Sequence, residues 1–163
     1  MRYWWVNQKQ TFRQEIDGGY MWSPKRTQNN GRIQFYENMR VVAPGDMVFS
    51  YANTRIIAIG TVQSIAYESP KPSDFGSAGA AWSNIGWRVA VSFQKLQHRI
   101  APKQYIEALS AHLPEKYSPI KPDGNGNQVY LCEISEALAS VMIELIGHEA
   151  FLFTHTARTL NLS

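Results

Sequence analysis

Cysteine is almost missing from this chain. Cys132 is the only one among 163 residues, which excludes an internal disulfide and any cysteine-rich zinc site. Acidic residues are few as well, 13 in all, and no two stand at a spacing that marks an acid–base couple. Long apolar runs are lacking, so nothing reads as a membrane span. The opening residues, Met1 to Gln8, lack both a signal-peptide core and a small-residue cleavage site. His98, His112, His148 and His155 are scattered, with no pair at metal-ligand spacing. Neither a Walker loop nor a GxGxxG is present; Gly76–Gly79 and Gly124–Gly126 do not join a strand to a helix as a phosphate cradle must. No Gly-x-Ser-x-Gly elbow occurs. Cys132, between Leu131 and Glu133 at the end of an apolar stretch, reads as a buried structural thiol. The expectation is a soluble, cytoplasmic protein with no catalytic residue, no metal and no cofactor.

What is present suits one globular domain: 44% hydrophobic residues, 18% charged, and a length inside the single-domain range. Arg2–Val6 reads as a strand, and Met47–Tyr51 and Arg55–Ile65 as a hairpin turning at Asn53-Thr54. Trp87–Phe93 alternates apolar and polar residues at period two. Phe35–Val41 reads as a short helix with Phe35, Tyr36 and Met39 inward, stopped by Pro44-Gly45-Asp46. Pro102 opens another helix carrying Tyr105, Ile106, Leu109 and Leu113, and Val129–Leu131 reads as a short strand. Ser135 caps a last helix that ends at Gly147, and residues 150–163 show no period and read as a tail or linker. About five strands and three helices, not strictly alternating, argue for an α+β fold with a strongly bent sheet or small barrel.

Charge and aromatics are unevenly placed. Residues 1–40 hold seven Lys/Arg against Glu15, Asp17 and Glu37, a balance of +4, whereas the remainder balances at −1. A phosphate-binding footprint is therefore expected at the front, and a merely solvated basic surface is the competing reading. Trp4 and Trp5 are adjacent in a strand and must point to opposite faces. Trp22 and Trp82 fall in stretches that read as irregular. Each is either a lid on the core or a stacking platform for a base, the latter supported by Lys25 and Arg26 close to Trp22.

The segments Tyr3–Gln8, Gly19–Arg26, Phe35–Met39 and Pro44–Ser50 resemble the EVE-like module that opens modification-dependent HNH restriction endonucleases. The likeness continues through Ile59-Gly60, Ala81-Trp82, Gly86–Val89, Leu113–Pro119 and Gly126–Leu131, and so covers residues 2–147. The resemblance implies a PUA-like fold, more remotely akin to YTH domains, that holds one modified base in an aromatic pocket. It implies residues 1–149 as the base-binding domain and 150–163 as a tail toward an HNH nuclease domain. The implied ligand is double-stranded DNA carrying methyl- or hydroxymethylcytosine, the base being flipped into the cage. Trp22, Ser23 and Trp82 match the cage positions. Asn7 and Gln8 end the first strand where the base edge would lie, Ser50 is a further edge contact, and Lys25, Arg26, Arg32 and Arg88 are the candidates for backbone phosphates. The alternative is an RNA-binding PUA or ASCH-type module.

Overall fold

The computed structural model describes residues 1–27, 29, 31–76 and 85–162, with side chains of the last helix as far as Thr156. Its framework follows from the paired tryptophans. β1 (Tyr3–Asn7) buries both faces: Trp5 enters one apolar cluster with Phe49, Ile59 and Leu138, and Trp4 enters another with Met39, Val48 and Val89. A strand that is apolar on both sides belongs in the middle of a sheet. β1 accordingly lies between β3 (Met47–Ala52), to which it is parallel, and β7 (Leu131–Ile134), to which it is antiparallel. β3 continues antiparallel to β4 (Arg55–Val62) through the Asn53-Thr54 turn, where both residues have positive φ as a two-residue hairpin requires.

β6 (Ile85–Lys95) decides the overall curl. Its second half pairs with β4, and its first half pairs with β2 (Tyr20–Pro24) on one side and β5 (Tyr67–Pro70) on the other. The order β2-β6-β4-β3-β1-β7 is thus a strongly bent, mixed half-barrel. Helices flank it: α1 (Phe12–Gly18), α2 (Gln34–Glu37) running into a tighter turn over Asn38–Arg40, α3 (Ile106–Leu109), α4 (Glu136–Ile146) and α5 (His148–Leu162). As the sequence indicates, Ser135 caps α4, its hydroxyl accepting from Leu138 N at 3.1 Å, and Gly147 ends it with φ 89°. The Pro44-Gly45-Asp46 turn does more than stop a helix. Asp46 accepts from Arg2 N, Ala43 N and the Trp4 indole at 2.9–3.0 Å, tying the turn to β1.

Among the described residues, seven strands replace the expected five or so. β2 was hidden between Gly18-Gly19 and Pro24, both turn signals. Gly19, at φ 73°, reverses the chain out of α1, and Pro24 is tolerated because β2 is an edge paired only with β6. β5 is a polar edge strand without alternation. α1 also escaped the sequence reading. Residues expected to be aperiodic form α5, on which Ala150 and Phe153 pack against the core while Phe151 and Leu152 stay 54% exposed. Apolar residues on both sides of one helix erase its period. In α2, Met39 is buried just beyond the helix, but Phe35 and Tyr36 are half-buried, contrary to the inward placement expected. No described helix is long and apolar enough to cross a membrane.

Candidate functional site

Where β1 ends, the chain passes through Gln8, Lys9, Gln10 and Thr11 before α1 begins. This crossing, the end of β2, the first turn of α2 and the 127–130 segment enclose a cavity of about 430 Å³. Phe35 and Tyr36, edge to face at 5.0 Å, line one side, and Tyr130 lines another. Burial of such rings beside an open space is a usual arrangement for a flat organic ligand.

The two polar residues that end β1 have different fates. Asn7 is used up within the fold: its Oδ1 accepts from the Trp5 indole at 2.8 Å, and its Nδ2 donates to Pro119 O and Asn127 O, each at 3.2 Å. It fastens the 119–127 loop and also borders the cavity at the end of β1. Gln8 is 1% exposed, and its Oε1 accepts from Ser50 Oγ at 2.5 Å, but among the described residues its Nε2 has no hydrogen-bond partner of good geometry. A buried, unpaired amide donor costs about 1–3 kcal/mol, so one retained in a cavity wall is a noteworthy polar feature. Ser50 is fully buried beneath Gln8 and orients it without lining the cavity.

Behind this wall lies a polar group that the sequence did not advertise. Glu15, on α1, is completely buried. It accepts from Thr11 Oγ1 at 2.6 Å, from Trp22 N at 2.8 Å and from the Tyr130 hydroxyl. Burial pushes its carboxyl up to about 7, against the opposing pull of the Thr11, Tyr130 and Trp22 hydrogen bonds and a last, smallest one from the nearby Gln8 amide. That amide lies near Glu15 without completing a hydrogen bond of good geometry. The Tyr130 phenol is held well above its ordinary range, by burial first and the Glu15 charge next, so it stays a donor. Neither Glu15 nor Tyr130 was among the candidate residues; a glutamate four positions after a threonine carries no specific signal.

Trp22 does border the cavity, but on a strand and not in a loop as expected. Its ring is 1% exposed, its indole donates to Ser69 O at 3.1 Å, and Phe75 meets it edge-on at 5.8 Å. The accessible aromatic surface is thus that of Phe35, Tyr36 and Tyr130. Tyr36, which the sequence placed in the core, belongs to the cavity. Ser23 also borders it, buried, its hydroxyl donating to Pro24 O at 3.0 Å. Trp82 lies outside the described residues. Of the expected phosphate contacts, Lys25 pairs with Glu68 and sits 4.4 Å from the Trp87 ring centre, and Arg88 lies 3.9 Å from that of Tyr20. Both are engaged with neighbouring side chains. Arg26 and Arg32 are exposed, and neither lines the cavity. Cys132 is buried, and burial pushes its thiol up to about 12, as a structural thiol requires. Among the described residues no cluster of three or more His, Cys, Asp or Glu is placed to hold a metal.

Set against protein-family models and curated proteins, the sequence matches none. Among solved structures, a hypothetical protein of Leishmania major aligns over 90% of this chain and 94% of its own, with a TM-score of 0.60 and 12% identity. The YTH domain of a Zygosaccharomyces rouxii protein, in complex with N6-methyladenosine RNA, aligns over 90% and 87% (TM-score 0.53, 11% identity). An ASCH protein of Zymomonas mobilis aligns over 89% and 99% (TM-score 0.54, 8% identity). At these identities the likeness is one of fold: the chain is an α+β protein with the PUA-like curled sheet and flanking helices shared by YTH and ASCH domains.

Proposed function

We propose that this chain is a non-catalytic reader that takes one modified base of a nucleic acid into the cavity at the end of β1. The observation that carries the reading is the cavity bordered by Phe35, Tyr36 and Tyr130, with the Gln8 Nε2, which has no hydrogen-bond partner of good geometry among the described residues, buried in its wall. A flat base supplies a ring face for the aromatics and a carbonyl or ring nitrogen for that donor. The YTH neighbour bound to N6-methyladenosine RNA supports the same use of this fold.

The finer reading follows the resemblance to EVE-like modules. The base is methyl- or hydroxymethylcytosine, flipped from duplex DNA, and the chain is the specificity module of a modification-dependent restriction system in the cytoplasm, partnered by an HNH nuclease domain. A second reading, uptake of a modified base from RNA, is favoured by that YTH neighbour. Flipping costs a few kcal/mol, and stacking recovers about 1–3 kcal/mol per base. Burying one methyl adds only about 0.8 kcal/mol, so discrimination by the methyl group alone is about fourfold.

Fluorescence polarisation separates these readings, using matched duplexes with cytosine, methylcytosine or hydroxymethylcytosine and RNAs with and without N6-methyladenosine. The expected outcome is tighter binding to a modified strand, lost about 5- to 150-fold in Tyr36→Ala and also weakened in Gln8→Met. Tyr36 is a better probe than Trp22, because Trp22→Ala empties a core site and costs about 3–5 kcal/mol of stability. Equal binding to modified and unmodified strands of both kinds refutes the reading.

A further inference from the structure

A second cavity, also about 430 Å³, opens on the α1 side of the hairpin turn. Phe12, Ile16, Ala52 and Ile57 contribute apolar walls, and Arg13, Arg55, Lys95 and Arg99 bring four cations from three separate parts of the chain. Asp17, the only carboxylate in the lining, already pairs with Lys95 at 2.7 Å. Four cations against one carboxylate make +3, the formal charge of the whole chain, so the rest of the molecule sums to zero. Like charges gathered over apolar walls repel and focus their field, which favours an anionic partner.

The cations are also held in place. Arg13 lies 5.4 Å from the Phe12 ring centre, Arg55 Nη1 donates to Arg99 O at 3.4 Å, and Arg99 Nε donates to Leu96 O at 3.0 Å. Each of the latter two guanidiniums spends one of its five donors on a backbone carbonyl, and neither makes an ion pair among the described residues. Forked donors kept in this way suit phosphate oxygens.

We infer that this cleft, lined by Arg13, Arg55, Lys95 and Arg99, binds phosphodiester groups of the same nucleic-acid strand whose base enters the cavity at β1. The inference rests on the proposed base-reading function. Its geometry comes from α1: the Lys9–Thr11 crossing borders the base cavity, and the helix beyond it borders the basic cleft.

The test compares wild type with Arg13→Gln, Arg55→Gln and the double variant, on unmodified and modified duplexes at several salt concentrations. The expected result is weaker binding to both duplexes and a salt slope shallower by about 0.9 for each phosphate contact removed. The modified-to-unmodified affinity ratio stays at its wild-type value, whereas Tyr36→Ala lowers that ratio and keeps the slope. Should Arg55→Gln melt early, Arg13→Gln with Lys95→Gln gives the same readout. Wild-type affinity and slope in a folded double variant overturn the cleft alone. A shallower slope with no preference for any modified base refutes the base reading and leaves the cleft standing. Inorganic phosphate that displaces the duplex far better than chloride at equal ionic strength overturns the assignment in favour of a small-phosphate site.

Discussion

Glu15 accepts three hydrogen bonds and still holds its proton up to a pH of about 7, because it has no access to water. In the unfolded chain it ionises near 4.5. Between those values the folded state binds more protons than the unfolded one, so the stability from this group is fully present below pH 4.5 and is lost as pH rises through about 7. The difference is roughly 3 kcal/mol by the usual conversion. Glu15→Gln should therefore flatten the fall in Tm between pH 5 and pH 8, read as the difference between variant and wild-type curves. Parallel curves would show that the carboxyl is already ionised at pH 5. At this scale the sequence was a partial guide. It pointed to Asn7, Gln8, Ser23 and Trp22, which border the cavity, and the Asn7 amide holds a loop as well. Glu15, Tyr36 and Tyr130 were missed because nothing in a single residue's neighbours along the chain reports which side chains meet across a fold.

Among the elements, the contact of β2 with β6 is the tightest constraint on the site. A Cβ on Gly86 would sit 2.1 Å from Ser23 O and 2.5 Å from Trp22 Cζ2. The first obstacle is backbone, which cannot swing aside, so Gly86→Ala must part the two strands. Overpacking of this kind costs about 3 kcal/mol at the upper end of its usual range, a Tm lower by about 6–12 °C. An unchanged Tm in a scanning calorimeter would mean that the strands are not so close in solution. The same contact explains what was legible in these elements. β6 alternates cleanly and was found; β2 lies between turn-forming residues, and its strand character comes from the partner beside it. Likewise β5 is a strand only because β6 offers it an edge. The Ser135 cap and the Gly147 stop were readable because capping is settled within a few residues.

Over the whole molecule, β6 belongs to both halves of the curled sheet, and β1 sends Trp4 and Trp5 into the two main clusters. Neither half has a complete core without the other. Unfolding is therefore expected to be one transition, with tryptophan fluorescence and far-ultraviolet circular dichroism giving the same midpoint in urea. Separate midpoints would show that the β2–β5–β6 portion melts on its own. Charge behaves similarly at this scale. The excess of basic residues in the first 40 positions was visible, yet Lys25 is paired with Glu68, and the basic cleft joins Arg13 to Arg55, Lys95 and Arg99. The sequence by itself determined the α+β class, the opposite facing of the tryptophan pair, the hairpin and the two ends of α4, because these depend on period and on neighbours a few residues apart. Only the tertiary structure decided the curl of the sheet, the unpaired donor on Gln8, the raised carboxyl of Glu15 and the place where the cations meet, because each depends on residues distant in sequence sharing one patch of low-dielectric space.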